Sequence, residues 1–131
     1  EIVKKVREFS DEYDYVFTSG GIGPTHDDIT NSSMAIAFGR KLIYNKKAKE
    51  LLSTHYEGDE LTKARLKMTF LPADVVLINN PVSIAPGYVI ENVHVFPLIF
   101  IHHRLIAGRT KLNTNRVRLF LLDYMVHFIY T

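Results

Sequence analysis

The stretch of this sequence with the most chemistry in it is Thr18-Ser19-Gly20-Gly21-Ile22-Gly23-Pro24-Thr25-His26-Asp27-Asp28-Ile29-Thr30. Glycines without a Cβ let backbone N–H groups approach a ligand closely, and a helix beginning just beyond them adds partial positive charge. Such a loop suits a phosphate or another anion. It matches neither the G-x-G-x-x-G dinucleotide fingerprint nor the G-x-x-x-x-G-K-[ST] loop, because no lysine follows the glycines. Asp27 and Asp28 come directly after the cradle. Two carboxylates there would repel a bound nucleotide unless a cation lay between them, and Mg²⁺ takes one or two carboxylates together with phosphate oxygens and water. Their spacing fits equally well a plainer role, in which they cap the next helix and answer its dipole. His26 stands where an imidazole could shuttle a proton or ligate a metal, since it titrates near neutrality. A surface histidine making one hydrogen bond fits the same position.

The elements that must hold this segment are readable on either side of it. Ile2, Val3, Val6 and Phe9 recur at helical spacing and stop around Ser10 to Asp14. Tyr15-Val16-Phe17-Thr18 is a short β-branched and aromatic run, the pattern of a buried parallel strand. After the loop, Thr30 or Asp28 is placed to cap a helix through Phe38, with Met34, Ala35, Ala37 and Phe38 on its buried side and Gly39 as its stop. Helical stretches follow at Ala48 to Tyr56 and Leu61 to Met68, separated by Gly58-Asp59. Val75-Val76-Leu77-Ile78 reads as a second buried strand, ended by Asn79-Asn80-Pro81, and Tyr88-Val89-Ile90 with Val93-His94-Val95-Phe96 flanks a hairpin turn at Glu91-Asn92.

Composition limits the function classes. The 131 residues fit one domain, and 47% hydrophobic against 23% charged residues is the balance of a chain with a core. A net charge of +2 with scattered Lys and Arg gives no basic stripe for nucleic acid. With no cysteine, disulfides, thiolate catalysis and thiolate zinc sites are absent, and the cytoplasm is the default compartment. The apolar run Leu119 to Tyr130 carries Asp123 and His127 and falls short of the ~20 apolar residues of a membrane span. His102 and His103 are adjacent, which places them poorly for one metal ion on a helix or a strand. Tyr44, Tyr56 and Tyr88 could stack on a flavin or adenine, but half-buried tyrosines are ordinary core residues.

Gly20-Gly21-Ile22-Gly23-Pro24-Thr25-His26-Asp27-Asp28-Ile29-Thr30 resembles the signature of the molybdenum-cofactor biosynthesis (molybdopterin-binding) domain superfamily. The His-Asp-Asp form is similar to the branch of FAD synthetase N-terminal regions and competence/damage-inducible proteins. The likeness continues through Met34 to Phe38, Pro72 to Asp74, Asn80-Pro81, Ser83 to Gly87 and Asn92 to Pro97. It implies an α/β fold, a three-layer Rossmann-like domain with a mainly parallel sheet and a small hairpin. It also implies a metal-dependent pyrophosphatase acting on FAD or ADP-ribose-like dinucleotides, or a binding domain for a nucleotide or pterin. Synthesis of FAD is not expected of this chain, since adenylyl transfer in that family belongs to a separate reductase-like domain. On this resemblance Asp28, Asp27 and His26 are the candidate catalytic residues, and Asp28 and Asp27 the candidate ligands of a divalent metal, Mg²⁺ first. Ser19, Gly20, Gly21, Gly23, Thr30, Ser83 and Gly87 are the candidate phosphate- and ligand-binding residues. Partners are then small molecules rather than nucleic acid or membrane, with a homo-oligomer left open.

Two departures from the pattern shape further expectations. The family begins with a strand and a Gly-Asp-Glu loop ahead of the opening helix, so the sheet is expected to lack its first strand and the chain to be cut at its start. After Phe96-Pro97 the sequence reads Leu98-Ile99-Phe100-Ile101 instead of a Gly-Val-Pro or Gly-Ile-Pro turn. Residues 1–108 are thus expected to form a partial domain with one edge of its parallel sheet unpaired, and 109–131 a divergent apolar tail in need of a partner surface. A non-catalytic binding or oligomerisation module is the alternative function that these departures favour.

Overall fold

The computed structural model describes residues 1–19, 28–56, 62–79, 86–96 and 117–121, with the backbone alone for Ser19, Asp28 and residues 117–121. Eleven elements follow in chain order: α1 (Ile2–Glu12), β1 (Tyr15–Ser19), α2 (Asp28–Ala37), β2 (Leu42–Tyr44), α3 (Lys46–His55), α4 (Lys63–Lys67), β3 (Phe70–Pro72), β4 (Val76–Ile78), β5 (Gly87–Ile90), β6 (Val93–Phe96) and β7 (Val117–Leu121). The main sheet runs in the order β4-β5-β6-β1-β7, and β2 and β3 form a second, two-stranded sheet. β1 is parallel to both of its neighbours, whereas β4, β5 and β6 pair antiparallel. The sheet is therefore mixed, parallel around β1 and antiparallel beyond it.

Strand alternation sorts the sheet into two faces. Val16 and Thr18 of β1 lie in register with Val93 and Val95 of β6, which in turn face Ile90 and Tyr88 of β5. All six are fully buried. Above them pack α1, through Val6, and α2, through Met34 and Ala37, in one continuous cluster. The opposite face carries Tyr15, Phe17, His94 and Phe96, with the rings of Phe17 and His94 4.9 Å apart and those of Phe17 and Phe96 stacked at 6.2 Å. Among the described residues, α1 and α2 form the helical layer on the first of these faces.

Several local devices follow the sequence closely. α2 ends in a Schellman arrangement: Arg40 N–H donates to Ala35 O at 2.8 Å and Gly39 N–H to Ile36 O at 3.3 Å, with Gly39 at φ 62°. Asn45 caps α3 by accepting from Ala48 N–H at 3.0 Å, and Thr62 caps α4 by accepting from Arg65 N–H at 3.2 Å. The hairpin at Glu91-Asn92 is present, with Glu91 at φ 51°.

Four readings are corrected. Thr30 and Asp28 both lie inside α2 rather than at its N-cap, since the helix already begins at Asp28. Val76 to Ile78 forms the edge strand β4 and not a buried one, and Val76 is 67% exposed. One edge of the parallel sheet was expected to be unpaired, and β1 has parallel neighbours on both sides, with β7 running from Tyr15 opposite Val117 to Ser19 opposite Leu121. That strand comes from the segment expected to form an apolar tail. The small β2–β3 ladder was not foreseen: Leu42-Ile43-Tyr44 and Phe70-Leu71-Pro72 are each three residues long, too short to show a period.

Polar side chains tie the elements together at the amino end of β1. Asn92 Nδ2 donates to Ser10 O at 2.9 Å and Tyr13 O at 2.8 Å, while Ser10 Oγ donates to Asn92 Oδ1 at 2.6 Å. Asn92 O accepts from Val16 N–H at 3.0 Å. One residue thereby joins the end of α1, the start of β1 and the β5–β6 turn. Removing its side chain in Asn92→Ala deletes three hydrogen bonds and leaves helix-end carbonyls without their donor, so a loss of about 2–3 kcal/mol is expected. Urea denaturation followed by circular dichroism measures it, and a change below about 0.5 kcal/mol contradicts the assigned role.

Candidate functional site

In an α/β sheet the ligand-binding edge is the one at the carboxyl ends of the parallel strands, where helices begin. In this chain Ser19 closes β1, in register with Phe96 closing β6 on one side and Leu121 closing β7 on the other. The chain re-enters as α2 at Asp28, after residues 20–27. A carboxylate-bearing residue thus opens a helix, and the N–H groups of its first turn have no acceptor within the helix. Thr30, in that first turn, is buried.

Gly87 also belongs to this edge, because β5 runs antiparallel to β6 and its first residue lies beside the last residues of that strand. A Cβ on Gly87 would stand 2.7 Å from the backbone oxygen of Val95 and 3.5 Å from Phe96 Cδ1. Close strand packing therefore requires glycine here, independently of any ligand. Of the residues singled out from the sequence, Ser19 and Gly87 lie at the same end of the main sheet, and Asp28 and Thr30 stand in the first turn of α2. Gly20, Gly21, Gly23, His26, Asp27 and Ser83 lie outside the described residues, as do His102 and His103.

Side chains that the sequence did not single out, or made ordinary, tie α2 and the smaller elements to the main sheet and to one another. Tyr88, fully buried on β5, donates its hydroxyl to Asn31 Oδ1 at 2.8 Å, and Asn31 Nδ2 donates to Phe70 O of β3 at 3.3 Å. Burial raises the Tyr88 phenol far above its ordinary range, so it remains a neutral donor. Tyr44 packs against Phe70 at 4.9 Å and Tyr56 lies under the Arg65 guanidinium at 3.9 Å, which gives each a structural partner. Arg40 Nη1 donates to Ala73 O at 3.0 Å and Asp74 O at 2.7 Å, and its Nη2 pairs with Glu91. Thr18 Oγ1, directly before Ser19, is buried without a hydrogen-bond partner among the described residues. The only sequence signal for Asn31 is a polar residue on the side of α2 that carries Met34 and Ala35.

The architecture is an α/β domain of Rossmann-like type with its candidate site at the carboxyl edge of a central strand. Residues 1–102 match the family described as a probable molybdopterin binding domain, and the chain belongs to that family, in its CinA-like branch. A protein of Archaeoglobus fulgidus is 38% identical over 96 residues, covering 73% of this chain and 41% of that protein. A CinA-like protein of Sulfurihydrogenibium is 37% identical over 91 residues, 68% of this chain and 23% of the relative. Among solved structures, the protein CinA of unknown function from Thermoplasma acidophilum superposes with a TM-score of 0.64 at 35% identity, covering 73% of this chain and 59% of that one. The chain thus spans well under half the length of these two curated relatives. Among the described residues no helix is long and apolar enough to cross a membrane.

Two outcomes follow from the geometry. Gly87→Ala forces β5 away from β6 and is expected to cost about 1–3 kcal/mol, the usual penalty of overpacking; an unchanged denaturation midpoint would show that the strands can yield. His94 Nδ1 is buried without a hydrogen-bond partner among the described residues, and the ring is wedged against Tyr15 and Phe17. Desolvation holds this imidazole below the usual histidine range, outweighing a smaller upward pull from the backbone of Asn92 and Val16. The unfolded chain therefore takes up the proton first. Stability from the neutral ring is complete above pH ~6.5 and is lost as pH falls from there through the folded-state value. The thermal midpoint should drop more steeply between pH 7 and 5 in the native protein than in His94→Phe, and equal slopes would remove His94 as the cause.

Proposed function

We propose that this domain binds a diphosphate-bearing small molecule, an FAD- or ADP-ribose-like nucleotide or a pterin phosphate, at the carboxyl end of β1. The observation that carries the reading is the chain order, in which β1 ends at Ser19, the glycine-rich segment follows and α2 opens at Asp28. Helix N–H groups and glycine backbone suit the phosphate oxygens, and a carboxylate among them suits a cation shared with the ligand. The donor set in this sequence is oxygen-only at Asp27, Asp28, Ser19 and Thr30, which fits a hard divalent ion such as Mg²⁺. When bound, such a cation supplies charge neutralisation at the diphosphate.

The chain's own residues then divide the work. Asp28 and Asp27 hold the cation, and the backbone of Gly20, Gly21 and Gly23 with the hydroxyls of Ser19 and Thr30 holds the phosphate oxygens. Ser83, in the segment leading to β5, completes the pocket wall. If the bound diphosphate is turned over, water attacks one phosphorus and the bond to the bridging oxygen breaks, giving two monophosphates. His26 is the residue to which this reading assigns the proton from that water. This reading relates the domain to the pyrophosphatase-type N-terminal regions of FAD synthetases. It concerns the domain rather than the much longer relatives.

Isothermal titration with FAD, ADP-ribose and a molybdopterin-type ligand, with and without Mg²⁺, tests the reading beside Asp28→Ala, with product release followed in the same samples. We expect Mg²⁺-dependent binding that Asp28→Ala weakens by about tenfold or more, the scale of losing a charged contact. Release of monophosphates that also needs Asp28 makes the domain a pyrophosphatase, and binding without release makes it a pocket-only module. Binding that ignores both Mg²⁺ and Asp28 overturns the proposed site.

A further inference from the structure

We propose that the buried pair Asn31–Tyr88 is a positioning device for the ligand site, fixing the axial and rotational setting of α2 so that Asp28 and the first-turn N–H groups are held at the carboxyl end of β1. The inference rests on the binding site proposed above. Both side chains are buried, Tyr88 completely, at the interface between α2 and the main sheet. The apolar side chains that α2 itself buries are Met34, Ala35 and Ala37, two of them small and none directional. Apolar contacts of that kind tolerate sliding and rotation of a helix. A hydrogen bond of 2.8 Å between a phenol and an amide oxygen does not.

The direction of constraint is set by the second arm of Asn31. Its Nδ2 donates to Phe70 O on β3 while its Oδ1 accepts from Tyr88 on β5, so one side chain refers α2 to both sheets at once. Two anchors on different elements fix a rotation as well as a height. Asp28 lies one helical turn before Asn31, about 4.5 Å along the axis, and the backbone between them is continuous helix. Whatever setting Asn31 imposes is therefore transmitted to Asp28 almost rigidly. Burying an amide and a phenol costs desolvation that an apolar pair of the same size avoids. The directional information they add is the compensating gain, and small displacements of ligand-holding groups are known to weaken function disproportionately.

The test separates setting from stability. In the double variant N31L/Y88F both polar groups of the pair are replaced by apolar ones of similar size, which leaves only Phe70 O without its donor and is expected to keep the thermal midpoint within about 5 °C of native. Isothermal titration with ADP-ribose in Mg²⁺ is then expected to show binding weakened about five- to tenfold. Should the double variant fail to fold, Tyr88→Phe alone, which keeps the ring, is expected to weaken binding about two- to threefold, and Asn31→Asp, which still accepts from the phenol, to weaken it more through its buried charge. Binding within experimental error of native in N31L/Y88F, or in Y88F where only that variant folds, overturns the positioning role while leaving the site intact. Native protein whose ADP-ribose binding is indifferent to Asp28→Ala overturns the site itself and the positioning role with it.

Discussion

Everything at the candidate site depends on β1 being hydrogen-bonded in parallel on both edges. A strand with two parallel neighbours has no freedom to shift register, because a slip of one residue would exchange its faces and bring Tyr15 and Phe17 under α2 in place of Val16 and Thr18. With the register fixed, Ser19 is fixed, and with it the point from which the glycine-rich segment leaves. The order of causes runs outward from the strand. β6 and β7 set β1, β1 and β5 receive α2, and α2 delivers Asp28.

The two ends of β1 are treated differently. At the amino end, side chains close every gap: Asn92 satisfies the carbonyls of Ser10 and Tyr13 and its own carbonyl takes up Val16 N–H. At the carboxyl end, Thr18 Oγ1 is buried without a partner among the described residues. Polar groups are thus saturated at the end of β1 away from the site proposed above. The same logic accounts for Arg40, whose guanidinium gathers two carbonyls and Glu91 at the far end of α2, where no ligand is expected.

How much could be read from residues alone varied with the physics behind each element. α1, β1 and α2 announce themselves by period and by their stops, and the hairpin by its two-residue turn, because those features are local. The edge position of β4 was misread because Val75-Val76-Leu77-Ile78 has the same composition in a central or an edge strand, and only its neighbours decide. β7 was missed for a related reason: its partner lies about a hundred positions earlier, and a non-local pairing leaves no mark in either segment. At the site, Asp28 and the glycines were legible through a shared motif. Asn31 and Tyr88 were not, since an amide on a helix and a tyrosine on a strand carry no sign that they will meet. Gly87 was legible as important, yet the structure supplies a packing reason in Val95 O that a motif cannot convey.

The β2–β3 ladder has a consequence for how the domain can vary. The chain departs at Tyr44 and returns at Phe70 as direct partners, with Asn45 N–H donating to Thr69 O at 2.7 Å, so the ends of the α3–α4 excursion are clasped at its neck. Because the neck closes the loop, a change of length beyond α3 costs mainly closure entropy, about 0.6 kcal/mol for each doubling. The excursion is therefore moored at two points, its neck and Ala48 of α3 in the core cluster, and is free to vary in sequence and length only away from them.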